Sequence, residues 1–135
     1  MAVFLSNDVQ VTVNSVDLTD HVASITWTET ADELETTAMG DANRTRIGGL
    51  KDGSVSIEFH QDFAASSVYI SLYALLGTTT TVTMTPTSAS VSATNPKHSA
   101  SALVTELPVI DGGVADLATI SVTWPLSGAV TVSTS

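Results

Sequence analysis

Hydrophobic and polar positions alternate with a period of two along most of this chain. Asp8–Val13 (DVQVTV) places Val9, Val11 and Val13 on one face, which predicts a half-buried strand. Asn14-Ser15 supplies a turn, and Val16–Leu18 a short second arm of a hairpin. Val22–Thr28 follows, with Ala23, Ile25 and Trp27 on one face and Ser24, Thr26 and Thr28 on the other. Ser54–His60 repeats the pattern, with Val55, Ile57 and Phe59 directed inward. One wet face per strand is the mark of an antiparallel sheet.

The period then changes. Phe63, Val68, Leu72, Leu75 and Leu76 fall at helical spacing, with Tyr69 and Tyr73 beside them. Asp62 as N-cap and Gly77 as stop predict one amphipathic helix over 63–76, its aromatics packing the core. Strands return at Thr78–Pro86, Ala102–Leu107, Thr119–Trp124 and Ala129–Ser133, with Asp111-Gly112-Gly113 as a tight connection. Thr87–Ser101, rich in serine, threonine and alanine, is expected to hold an edge strand and a loop turning at Asn95-Pro96. The expectation is a mainly β single domain over 1–135. It is a β-sandwich or partial barrel of about seven or eight antiparallel strands with one flanking helix.

Between the strands ending at Thr28 and starting at Ser54 lie more than twenty residues, Glu29–Asp52, without a clear period. This stretch reads as a long protruding loop, and loops of that length in a compact domain are often functional arms. It holds Arg44, Arg46 and Lys51, three of the four basic residues, and six of the fourteen acids. Asp32, Glu33 and Glu35 precede the basic group, so the segment is acidic first and basic second, with Met39 and Gly40 at a flexible, apolar middle. Two arrangements satisfy this polarity. The halves neutralise each other as a hairpin within one subunit, or the acidic half of one copy meets the basic half of the next. Arginine suits the second because its planar fork holds a carboxylate at two points. Asp32, Glu33, Glu35, Met39, Arg44, Arg46 and Lys51 are therefore the candidate inter-subunit contacts.

Composition narrows the function. The hydrophobic fraction of 43% and charged fraction of 13% are those of a folded chain, and the absence of cysteine excludes disulfides and thiolate metal sites. The first residues lack the basic start and long apolar run of a secretory signal, and no apolar stretch is long enough to span a bilayer. A net charge of −10 argues against ordinary nucleic-acid binding, which needs basic surface to neutralise phosphates. His21, His60 and His98 lie far apart, and the Asp17, Asp20, His21 group lacks a calcium-loop ligand series and reads as an Asx-type turn. No nucleophile elbow or phosphate-binding glycine loop occurs, so no catalytic residue, cofactor or metal site is assigned.

The polar strand faces carry more information. Thr26, Thr28, Ser54, Ser56, Thr81, Thr83, Thr85, Thr119, Ser121 and Thr123 form neutral rows without lysine. Exposed edges are commonly guarded by lysine against edge-to-edge pairing, so unguarded ones suggest sheets that continue from one subunit to the next.

The run NSVDLTDHVASITWTETADELETTAMGDANRTRIGGLKDGSVSIEFHQDFAA, Asn14 to Ala65, followed by SLYALLG, resembles the tail tube (major tail) proteins of phages with long non-contractile tails. The segments ATNPKHSASALVTELP and Ala115–Trp124 continue the likeness, with Ala115 where the pattern expects glycine. The resemblance implies a virion protein, assembled in the host cytoplasm, that forms hexameric rings stacked into a hollow tube. Glu29–Asp52 becomes the arm that reaches a neighbouring copy. Other tail proteins meet the tube at its ends, and DNA passes through an acidic bore without specific binding. A tail terminator, minor tail or capsid decoration protein is the alternative. A carbohydrate-binding β-sandwich is a weaker one, since aromatics make up only 5% of the chain.

Overall fold

A computed structural model describes residues 7–65 and 67–135. Its strands are β1 (Gln10–Val13), β2 (Val16–Asp17), β3 (Val22–Glu35), β4 (Arg46–His60), β5 (Thr79–Thr85), β6 (Lys97–Leu103) and β7 (Thr119–Ser133). All pair antiparallel in the order β2-β1-β5-β6-β7-β4-β3. β7 is the strand on which the sheet turns. Its first half pairs with β4 as far as Ser54↔Pro125, and from Leu126 onward it pairs with β6. Pro125 has no N–H to give a ladder, so it suits the point where the strand exchanges one neighbour for the other.

The two halves of the sheet face each other across one core. Val11 and Val13 of β1, Val82 of β5 and Ala102 of β6 meet Val55, Ile57 and Phe59 of β4 and Ile120, Val122 and Trp124 of β7. Every alternation predicted for β1, Ser54–His60 and Thr119–Trp124 is realised in this burial. Trp124 is fully buried, and its indole N–H donates to the Glu106 carbonyl at 3.0 Å. The barrel stays partial: an open groove of about 610 Å3 runs between β3 and the β1–β5 side, lined by Val9, Ile25, Trp27 and Met84.

Four expectations change in detail. Ala23 is not on the inward face, because a register shift between Val22↔Phe59 and Ser24↔Glu58 makes it an extra residue in the strand. The helix expected over 63–76 contracts to α1, Val68–Tyr73, and its aromatics do not fill the core, since Phe63 and Tyr73 stand half exposed. Asp62 holds the loop ahead of it, accepting the Ala64 N–H at 2.8 Å, and Ser67 takes the N-cap position. Ser66 lies outside the described residues. Gly77 ends the segment at φ 84, and its N–H donates to the Val104 carbonyl. The strand sought at the edge in Thr87–Ser101 begins at Lys97 as the first part of β6, which is interior, paired with β5 on one side and β7 on the other, and stops at Leu103 instead of running to Leu107. The strands expected at 119–124 and 129–133 are one continuous β7.

Asn14 (φ 50) and Ser15 (φ 66) form the two-residue loop between β1 and β2, closing Val13↔Val16. Positive φ at both central residues is the type I′ pattern whose twist matches a hairpin.

Candidate inter-subunit arm

The stretch Glu29–Asp52 is not an irregular loop. β3 and β4 continue through it as a hairpin, paired from Glu29↔Gly53 to Glu35↔Arg46, so that only 36–45 remain as the tip. At the rise of a β-strand this projects the ladder on the order of 20 Å beyond the sandwich. Sequence periodicity misses it for a physical reason. Alternation records burial of one face, and here neither face reaches the core: Glu29 through Glu35 are all exposed.

The root is tied to the domain at one close crossing. A Cβ on Gly53 would stand 2.8 Å from the Thr28 carbonyl oxygen and 2.9 Å from Leu126, so only glycine lets β3, β4 and β7 approach there. Nearby, Trp27 and His98 pack with ring centroids 6.1 Å apart, and His98 Nδ1 lies 3.7 Å from Glu29. Neither Trp27 Nε1 nor His98 Nδ1 has a protein hydrogen-bond partner. Beyond Ser54 the β4 strand leaves β7, and a cleft of about 290 Å3 opens between the arm and the last part of β7.

The predicted charge pairing occurs within one hairpin. Arg46 Nε lies 2.5 Å from Glu33, and Arg44 Nε lies 3.7 Å from Glu35. Of the two arrangements the polarity allowed, the intramolecular one is realised for these four residues. Asp32 and Lys51 are exposed and form no ion pair among the described residues. The tip is held by its own bonds. Thr36 N–H donates to the Thr45 carbonyl at 2.8 Å, and the Asp41 carboxylate accepts the Ala38 N–H at 2.8 Å. Gly40, at φ 92, completes a turn on which Met39 stands fully exposed.

Sequence reasoning passed over the arm's apolar side. Leu34 and Ile47 pair across the strands and are 50% and 57% exposed, while Leu50 is 82% exposed. Leu34 and Ile47 thus stand on the side of the hairpin away from Glu33, Glu35 and Arg46, beside Asp32, without the core contact that normally hides such residues.

Elsewhere the polar residues have structural work. Asp17 accepts from the Thr19 hydroxyl and N–H, the expected Asx-type turn, and these bonds hold its carboxyl below the usual range. His21 leaves that group and places Nε2 2.9 Å from Asp62, joining the start of β3 to the loop before α1. The predicted threonine rows do line an open face: Ser56 and Thr123 hydroxyls meet at 2.9 Å across β4 and β7, beside Thr26 and Ser121. Among the described residues no three His, Asp or Glu side chains converge as a metal site would require.

No protein-family model and no curated protein matches the sequence. Solved structures do match the fold. One is a chain of the virion of a native gene transfer agent particle. The likeness covers 97% of this chain and 99% of that one, with TM-score 0.79 and 12% identity. Another is a chain from the tail of an empty gene transfer agent particle, computed with helical refinement in C6 symmetry. There 84% of this chain and 82% of that one are covered, with TM-score 0.67 and 12% identity. At that identity the likeness establishes a shared fold, and it accords with the tail-tube resemblance read from the sequence.

Proposed function

We propose that this chain is a structural subunit of a phage-type tail, which self-assembles into hexameric rings stacked as a tube for the passage of DNA. The observation that carries the reading is the fold match to a chain of a C6-symmetric helical tail over most of both lengths. Three features of this chain support it. The free edge of β3 runs from Ser24 to Thr28 without a charged side chain to guard it. The Glu29–Asp52 hairpin leaves Leu34, Met39, Ile47 and Leu50 exposed, without a core in its own domain to cover them. The net charge of −10 keeps carboxylates plentiful around any bore, where repulsion of phosphates, screened over about 10 Å, leaves DNA free to slide.

In this reading the arm is the docking element between copies. Met39 and Lys51 contact a neighbour directly, as does Asp32, while Glu33, Glu35, Arg44 and Arg46 shape the hairpin that presents them. Electron microscopy of the purified protein tests the proposal. Stacked rings with six-fold symmetry are the expected result, and a monodisperse monomer at every concentration overturns it.

A further inference from the structure

The groove of about 610 Å3 between β3 and the β1–β5 side has no charged side chain in its described lining. Val9, Ile25 and Trp27 pack against the core from within it and stay only half buried, with Met84 opposite. Exposed apolar surface gathered in one concave place ordinarily has an occupant. Trp27 adds a polar vacancy. Its indole N–H is buried without an acceptor among the described residues, and a buried tryptophan usually finds one.

Asn7 lies on the rim of this groove, so residues 1–6 join the described chain there. The joint is fixed in place. The Asp8 carboxylate accepts the Ser88 N–H at 3.0 Å and the Ser88 hydroxyl at 2.8 Å, and the Gln10 side chain donates to the Asp8 carbonyl at 3.1 Å. Residues 1–6 read MAVFLS, five apolar side chains in a row and none charged. Seating them in an uncharged groove therefore desolvates no charged side chain. Six residues reach up to about 20 Å, against a spacing of about 4.8 Å between neighbouring strands, which is ample to cross the gap. So short a tether holds the segment at an effective concentration in the mM range, an advantage that no dissolved partner shares.

We propose that Ala2–Leu5 lie in this groove in the free subunit, with Phe4 and its apolar neighbours covering Ile25, Trp27 and Met84. A carbonyl of the segment is then within reach of the Trp27 N–H. The chain closes its own partial barrel and keeps the apolar lining from water and from other copies. The inference concerns the free subunit and stands whether or not copies assemble.

The chain has no cysteine, so Ala2→Cys carries a nitroxide label at a single site and leaves Val3, Phe4 and Leu5 unchanged. In the 15N-labelled full chain, kept below the concentration at which it associates, the label is expected to broaden the amide signals of Ser24, Ile25 and Trp27. The signal of Met39, at the distant arm tip, is expected to stay sharp. A mixture of 15N-labelled parent chains with spin-labelled chains lacking 15N is expected to show no broadening, since the contact is made within one chain. Sharp signals from Ser24 to Trp27 in the labelled chain overturn the inference, and so does broadening in the mixture. Trp27 supplies a second readout, because Trp124 is fully buried and shielded from acrylamide. Phe4→Ser with Leu5→Ser is expected to raise the acrylamide quenching of the emission and shift it to the red. Unchanged quenching overturns the cover.

Discussion

Ala115 stands at φ 66 in the third position of the Gly113–Asp116 turn, which closes through the Asp116 N–H and the Gly113 carbonyl at 3.2 Å. This is the residue for which the sequence pattern expected glycine. A Cβ in the left-handed region costs about 1–2 kcal/mol. Ala115→Gly should stabilise the domain by about 1 kcal/mol, seen as a higher urea midpoint at unchanged slope. Asp62 makes a different prediction. The Ala64 N–H, then the Ser67 and His21 side chains, bond its ionised form and hold its carboxyl below the usual range. A depressed folded value means stability that is fully present above the unfolded pKa of about 3.9 and is lost as pH falls through the folded one. Asp62→Asn should be less stable than the parent at pH 7, and the gap should close below about pH 4. Urea denaturation at pH 7 and pH 3 measures it, and an equal gap at both rules out the charged form as the cause.

The arm is the element whose role separates from folding. Its cross-strand ion pairs, Arg46 with Glu33 and Arg44 with Glu35, are solvent exposed, and such pairs add little stability. Reversing Arg44 and Arg46 to glutamate should leave a folded subunit that fails to build long tubes. Adding Glu33→Arg and Glu35→Arg restores the pairing with its sense inverted. If the four residues act by shaping the hairpin, tubes return in the quadruple variant. If they touch a neighbour directly, tubes stay absent. Microscopy of tube length reads both cases, and normal tubes from the double variant contradict a docking role for the arm.

The whole molecule depends on one core shared by both halves of a folded sheet, and Trp124 stands where β7 turns from β4 to β6. Trp124→Ala empties the largest buried side chain and orphans the Glu106 carbonyl. Truncations of this kind cost about 3–5 kcal/mol, a large share of the 5–15 kcal/mol typical of a domain. A large drop in melting temperature should follow, together with loss of assembly, whereas the arm variants should lose assembly alone. That contrast distinguishes residues that make the subunit from residues that join subunits.

Strand alternation by itself determined the sheet segments around Val11, Ile57 and Val122, because burial of one face imprints a period of two on the residues. It also singled out Glu29–Asp52 and its polarity, since a long stretch without such an imprint lies outside the core. The same fact hid the hairpin: backbone ladders hold β3 and β4 together through the arm, and backbone hydrogen bonds leave no side-chain signature. Only the tertiary structure decided that Glu33 and Glu35 meet Arg46 and Arg44 at home, that β7 serves both halves of the sheet, and that the barrel stays partial beside β3. Each depends on how distant segments are brought together in space, which no local pattern of residues records.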